Sequence, residues 1–333
     1  MANLVGLAIA RHARAPFDVR RLGQGAAPAP MVLYASREVH NSVTRAVEVL
    51  GLGRDALRLI AVREDYTVDL AALRDAIAAD RRLGLLPFAV VGNAGTVNTG
   101  AVDDLTALAA ICREEGLHFH VDGAFGAMAA LAPELRPRLA GMELADSVAF
   151  DLHKWGYFPI EAGCVLVRDA DGHRGAFAVG ADYLAKIEGG IAGRGRRMAD
   201  LGLQLSRGFK ALKVWMGLKA DGADRLGRLI GQNVRQAAHL ARLVERTPEL
   251  ELLAPAPLNI VCLRFRGLGP RGDLDALNRK LLVRIQESGV AVPSSTVLGG
   301  RFALRVCITN HRTRLEDLDL FVEDVVRLGR AVS

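Results

Sequence analysis

Between Met31 and Asp151, short apolar runs that read as strands alternate with helical stretches, and this alternation restricts the fold more than any other feature. Strands are read at Met31–Ala35, Leu57–Val62, Pro87–Gly92, Leu117–Asp122 and Ser147–Asp151, with a further one at Gly163–Arg168. Helices are read between them at His40–Leu50, Asp69–Asp80 and Asp103–Glu115. The pattern predicts an α/β fold with a mostly parallel sheet and helices on both faces. In such sheets ligands sit outside the carboxyl ends of the strands. Thr96, Asp122 and Lys154 fall at or just past predicted strand ends, so one site can collect them.

Elsewhere the chain is more varied. Met1–Ala13 is helical in pattern, with no capping sequence before it, and Arg14–Pro30 reads as a loop. Gly51–Ala56 superficially matches G-x-G-x-x-A, but it follows a helix and reads as a helix stop. Gly172–Arg197 reads as irregular, with seven glycines and a basic GRGRR run. Composition supports a mobile active-site loop with glycine hinges and a plain surface loop equally. Long helices are read at Leu201–Lys219 and Ala223–Arg246. Pro248–Pro257 is a natural boundary, giving a large domain at 1–247 and a small α/β domain at 248–333. The small domain is read as a strand at Leu258–Phe265, a helix at Asp273–Ser288, strands near Val290–Val292 and at Phe302–Ile308, and a helix at Leu315–Leu328.

Composition bounds the function classes. A chain of 333 residues can bury a full core, and half of its residues are hydrophobic, yet no apolar run approaches membrane-spanning length. Cys112, Cys164, Cys262 and Cys307 are scattered, with no C-x-x-C pair, and read as reduced thiols of a cytoplasmic protein. The net charge of +6 is dispersed and aromatics are few, so it reads as a solvated surface rather than a nucleic-acid face.

Two stretches carry the chemistry. Ser147–Gly163, SVAFDLHKWGYFPIEAG, places Lys154 in a turn just after a strand. Desolvation at such a position lowers a lysine's pKa and frees the amine as a nucleophile. Leu117–Gly126, LHFHVDGAFG, ends a strand in Asp122 and then opens into small residues, leaving room for a flat ligand. A strand-end lysine and a strand-end aspartate are the two protein groups that a pyridoxal 5'-phosphate (PLP) site needs: one forms a Schiff base, the other pairs with the pyridine nitrogen.

HVDGAFG, then ADSVAFDLHKW, then GCVLVRD, resembles the group II PLP-dependent amino-acid decarboxylases of fold type I, which include the aromatic amino-acid and glutamate decarboxylases. MANLVGLAIAR, VHNSVTRAVEVLGLG, LQLSRGFKALKVW and LRVCITNHRT resemble further landmarks, so the likeness runs through nearly the whole chain. The resemblance implies a fold type I large domain with a small C-terminal α/β domain, a homodimer, and a carboxy-lyase acting on an amino acid. It makes Lys154 the Schiff-base lysine and Asp122 the ring-nitrogen partner. His40 becomes the ring-stacking residue that approaches the substrate carboxylate, Thr96 lies beside the cofactor, and Ala124 packs under the ring. His153 and Asp151 flank the lysine turn, where they help hold the phosphate or its waters; many relatives carry Asn at the Asp151 position. The family's first helix follows a glycine-rich phosphate loop, and this sequence begins at that helix, so a misplaced start or a truncation is expected.

The implied reaction releases carbon dioxide from an amino acid held on the cofactor and protonates Cα to give an amine. In much of the family a loop tyrosine serves that protonation; the matching position here is Met198, which leaves room for another outcome at Cα. Two other readings remain. His118, His120 and Asp122 share one face of a strand, which suggests a metal hydrolase, although the two histidines also read as a polar pair in a helix-covered sheet. A truncated, catalytically impaired paralogue is the other.

Overall fold

The computed structural model describes residues 1–179, 197–268 and 272–332. The chain opens with α1 (Ala2–Arg14) and a one-turn helix α2 (Val19–Leu22), then runs β1 (Met31–Ser36), α3 (Asn41–Val49), β2 (Leu57–Ile60), α4 (Leu70–Arg82), β3 (Leu86–Asn93), α5 (Leu105–Glu115), β4 (His118–Asp122), β5 (Ser147–Asp151) and β6 (Gly163–Val167). These strands form one sheet in the order β2-β1-β3-β4-β5-β6. β1 to β5 are parallel; β6 runs antiparallel to β5. No helix is formed in the turn between β5 and β6, so the chain has no crossover with which to re-enter in parallel.

Local chemistry sets the helix starts. The Asp69 carboxylate accepts from Ala71 and Ala72 N–H and begins α4, while Asp104 caps α5 through Ala107 N–H. The expected start of α5 at Asp103 is displaced, because Asp103 is buried and accepts from the backbone N–H groups of Val68 and Asn93. α5 stops at Gly116, which takes the left-handed conformation at φ +65°.

Alternating strand residues feed two cores. Leu33 and Ala35 of β1 meet Leu7 and Ala10 of α1 and Val43 and Val47 of α3 on one face. Val32, Tyr34, Val90 and Phe119 meet Leu73 and Ile77 of α4 and Leu105 and Leu108 of α5 on the other. Helices therefore cover both faces, as the alternation predicts.

Two expectations after β6 are corrected. Gly172–Arg197 is not irregular at its start: α6 (Ala170–Phe177) forms there, capped by Asp169, which accepts from Asp171 and Gly172 N–H. The rest of that stretch, 180–196, with most of the GRGRR run and the expected mobile loop, lies outside the described residues. Leu201–Phe209 is not an α-helix, and α7 begins only at Lys210 (Lys210–Asp221). α8 (Ala223–Arg246) has the expected bounds, with Ile230 and Val234 in the first core and Ala237, Leu240 and Val244 in a second.

That second core lies under an antiparallel sheet of β7 (Leu250–Leu252), β8 (Ile260–Phe265), β9 (Ser294–Leu298) and β10 (Arg301–Cys307), in the order β7-β8-β10-β9. α9 (Leu274–Ser288) and α10 (Leu315–Val332) pack on it. The strand expected near Val290–Val292 forms later, at β9, because Gly299 and Gly300 take positive φ (+55° and +79°) and close a tight hairpin into β10.

Candidate active site

The site is built where β3, β4 and β5 end side by side. Backbone bonds lace the three ends together: Ala94 N–H donates to Asp122 O, Gly126 N–H to Ala94 O, Gly123 N–H to Ala149 O, and Asp151 N–H to Ala124 O. Gly126 must be a glycine here, since a Cβ would lie 2.2 Å from Ala94 O. The residues of HVDGAFG and of the HKW turn are thus held by strand ends rather than by a free loop.

Asp122 is the last residue of β4 and is 5% exposed. Its Oδ1 accepts from Ala124 N–H at 3.0 Å, and its Oδ2 accepts from Asn3 Nδ2 of α1 at 2.8 Å. Burial pushes the Asp122 carboxyl up; the hydrogen bonds from Ala124 and Asn3 and the charges of His40 and Lys154 pull it back. A carboxylate offers about four lone-pair positions, and these two donors leave acceptor capacity over.

Lys154 lies three residues past β5. It is not buried as a strand-end position predicts: its side chain is 38% exposed, and Nζ pairs with Asp151 Oδ2 at 2.7 Å. Asp151, expected beside a phosphate, thus pairs with the amine. Trp155 anchors the turn. It is fully buried, stacks on Phe125 with centroids 5.0 Å apart, and donates through Nε1 to Asn233 Oδ1 of α8 at 3.1 Å. Tyr157 OH donates to the same oxygen at 2.6 Å.

His40 is the N-cap of α3 and is exposed. Its Nδ1 accepts from Ser42 N–H at 3.1 Å and lies 2.8 Å from Ser42 Oγ. Thr96 is buried, but its hydroxyl is used within its own turn, against Thr99 Oγ1 at 3.0 Å and Ala101 N–H at 3.1 Å. His153 Nδ1 accepts from Ala162 N–H at 3.1 Å, so only Nε2 remains to donate outward. Met198 is 63% exposed in a short 3-10 turn, where its carbonyl accepts from Arg207.

His118 and His120 do not form a metal centre with Asp122. Both rings bond Ser147 Oγ, at 2.9 and 2.7 Å, and the other nitrogen of His120 meets Asn3 Oδ1 at 3.0 Å. Burial lowers the His118 pKa to about 4 and that of His120 to about 3, so both are neutral. Among the described residues no cluster of three or more His, Cys, Asp or Glu side chains could hold a metal.

Sequence reasoning missed Asn3, Ser42, Ser147 and Asn233. One signal was present for Asn3: it lies four residues before Leu7, on the stripe of α1 that is otherwise apolar.

The donor set fits PLP. A buried carboxylate with spare acceptor capacity suits a protonated ring nitrogen, and an amine with a carboxylate beside it suits an aldehyde carbon.

Comparison with known proteins agrees. Residues 1–266 match the pyridoxal-dependent decarboxylase conserved domain. An aromatic-L-amino-acid decarboxylase of Bacillus atrophaeus is 33% identical over 335 aligned positions, covering 100% of this chain and 68% of that protein. A phenylacetaldehyde synthase of Arabidopsis thaliana is 31% identical over 284 positions, covering 84% of this chain and 57% of the relative. The structure of Oryza sativa TDC with PLP and tryptamine superposes with a TM-score of 0.90 at 29% identity, over 99% of this chain and 68% of that one. This chain therefore spans only part of each relative's length.

Proposed function

We propose that this chain, which belongs to the pyridoxal-dependent decarboxylase family, binds PLP at the ends of β3, β4 and β5 and removes the carboxyl group of an amino acid. The observation that carries the reading is that buried Asp122 ends β4 and Lys154 follows the end of the adjacent strand β5, so a carboxylate and an amine stand at one edge of the sheet. When bound, the cofactor supplies an electron sink for the pair left on Cα as carbon dioxide departs.

The residues of the chain have separate tasks. Asp122 would accept from the ring nitrogen and keep it protonated. Lys154 would carry the aldehyde carbon, and its amine must lose a proton before it can attack. Asp151 Oδ2, 2.7 Å away, favours the charged form of that amine, so this ion pair would have to part before the amine is free. His40, with Nδ1 already accepting, offers Nε2–H toward a substrate carboxylate. Ala124 would lie against the ring, and His153 offers its Nε2–H to the phosphate or its waters. The Thr96 hydroxyl is spent on its own turn, so its part beside the cofactor is to fix the loop after β3.

A second reading concerns the product. Met198 stands where the resemblance places a loop tyrosine, and one relative is named a phenylacetaldehyde synthase. The test is a screen of single aromatic, acidic and diamino acids with PLP, measuring carbon dioxide, amine and aldehyde separately. Carbon dioxide with amine supports decarboxylation, carbon dioxide with aldehyde the other outcome. No carbon dioxide from any amino acid refutes both.

A cytosolic homodimer belongs to the same proposal. All four cysteines are free thiols, which supports the compartment. Phe209, Trp215 and Met216 are exposed and apolar, and are the face a second copy would cover. Sedimentation of the purified chain tests the dimer.

A further inference from the structure

The proposed chemistry needs a charged Asp122, although burial opposes that charge. The hydrogen bonds behind it work against the rise that burial causes, and their directions can be assigned one by one. Asn3 Nδ2 has two hydrogens. One goes to Asp122 Oδ2 at 2.8 Å and the other to Ser42 Oγ at 2.9 Å. Asn3 Oδ1 is then an acceptor, so His120 Nε2, at 3.0 Å, carries the proton. His120 Nδ1 is bare and takes the single hydrogen of Ser147 Oγ at 2.7 Å. The second neighbour of that hydroxyl, His118 Nε2 at 2.9 Å, must donate to it.

The other hydrogen of Asn3 fixes a second residue. Ser42 Oγ accepts it and so turns its own hydrogen to His40 Nδ1 at 2.8 Å, where Ser42 N–H also donates. The proton of a neutral His40 must then sit on Nε2.

We propose that His118, Ser147, His120 and Asn3 form a one-directional chain of donors aimed at Asp122, and that Asn3 is the positioning residue that holds Asp122 charged while setting the tautomer of His40. The proposal rests on the PLP reading only for its purpose, since the directions are a property of the chain alone. Neutral rings are required throughout. A protonated His120 would donate from Nδ1 as well, leaving Ser147 to find another acceptor. Burial depresses both histidines, His120 to about 3 and His118 to about 4; at His118 the charge of Arg14 adds to the drop and that of Asp146 opposes it, and at His120 the neighbouring His118 adds to it. The other charged groups acting on Asp122 are His40 and Lys154. The packing is built for this contact: a Cβ on Gly6 would lie 2.5 Å from His120 Cε1, so only glycine lets α1 bring Asn3 to the ring.

The test is nitrogen-15 NMR of histidine-labelled chain without cofactor, read between pH 6 and pH 8. The expected spectrum shows His120 protonated at Nε2 and bare at Nδ1, with the neutral form of His40 protonated at Nε2. A His120 protonated at Nδ1, or at both nitrogens, overturns the chain of donors. Carbon-13 labelling of aspartate gives the second readout, with the Asp122 signal assigned by its loss in Asp122→Asn. Asn3→Leu is expected to move that signal to the neutral-acid position at pH 7, whereas Ser147→Ala, which keeps the Asn3 amide, leaves it charged. An Asp122 that stays charged in Asn3→Leu overturns the role of Asn3. If Asn3→Leu does not fold, the tautomers of the unsubstituted chain decide alone. PLP binding is scored separately: its failure with the tautomers as expected refutes the cofactor reading, not the donor chain.

Discussion

Gly6→Ala should damage this protein, although the same change in most exposed helices is stabilising. In α1 the added Cβ would stand 2.5 Å from Cε1, 2.8 Å from Nδ1 and 3.3 Å from Nε2 of His120. The ring has nowhere to go without loss, because Nδ1 is held by Ser147 and Nε2 by Asn3. Overpacking of this kind costs about 1–3 kcal/mol. Breaking the two buried hydrogen bonds adds about 2 kcal/mol at about 1 kcal/mol each. The better helix propensity of alanine returns about 1 kcal/mol. The net loss is about 2–4 kcal/mol, read as a lower urea midpoint at unchanged slope. A midpoint equal to or above that of the unsubstituted chain would refute the reasoning, because it would mean that α1 does not sit against His120.

The remaining predictions concern the lysine turn and acid stability. Asn233→Leu strips the acceptor from both Trp155 Nε1 and Tyr157 OH, so stability should fall by about 2–6 kcal/mol, at about 1–3 kcal/mol per orphaned donor; a loss under about 1 kcal/mol in urea melts would contradict the anchoring role. His118 and His120, lowered to about 4 and about 3, bind protons in the unfolded chain first as pH drops below about 6.5. Their contribution is therefore complete above that value and is lost on acidification, with a slope of up to about 1.4 kcal/mol per pH unit for each. Asp122 and Asp103, which burial pushes up, slope the opposite way. The check is thus the difference between the unsubstituted chain and His118→Gln, which should narrow as pH falls from 7.5 to 5 and would count against a neutral His118 if it widened.

Much of the large sheet was legible because strand ends and helix caps are local. Asp69 caps α4, Ser147–Asp151 forms β5 with the expected bounds, and His40 sits where α3 begins. The positions of Asp122 and Lys154 at one edge of the sheet follow from the same regularity, since neighbouring parallel strands end side by side. What escaped is tertiary. α6 contains two glycines that lower helix propensity, and it forms with a cap at Asp169 and packing against α1. The displacement of β9 was signalled by Gly299-Gly300, a hairpin dipeptide that went unread. Asn3 and Ser147 are separated from Asp122 by 119 and 25 positions, and no local spacing announces that they share a network with it. The ion pair between Lys154 and Asp151 was hidden for a different reason: burial of the lysine was inferred from the strand before it, and the turn carries it back toward solvent.

The central claim is that Lys154 is the amine that takes the cofactor. The direct measurement is the absorption spectrum of the purified chain with added PLP, followed by borohydride reduction and peptide mass mapping, beside Lys154→Ala. The predicted result is a new absorption band in the unsubstituted chain only, with the reduced cofactor fixed on Lys154. A band in both proteins, or a label on a different lysine, would contradict the assignment.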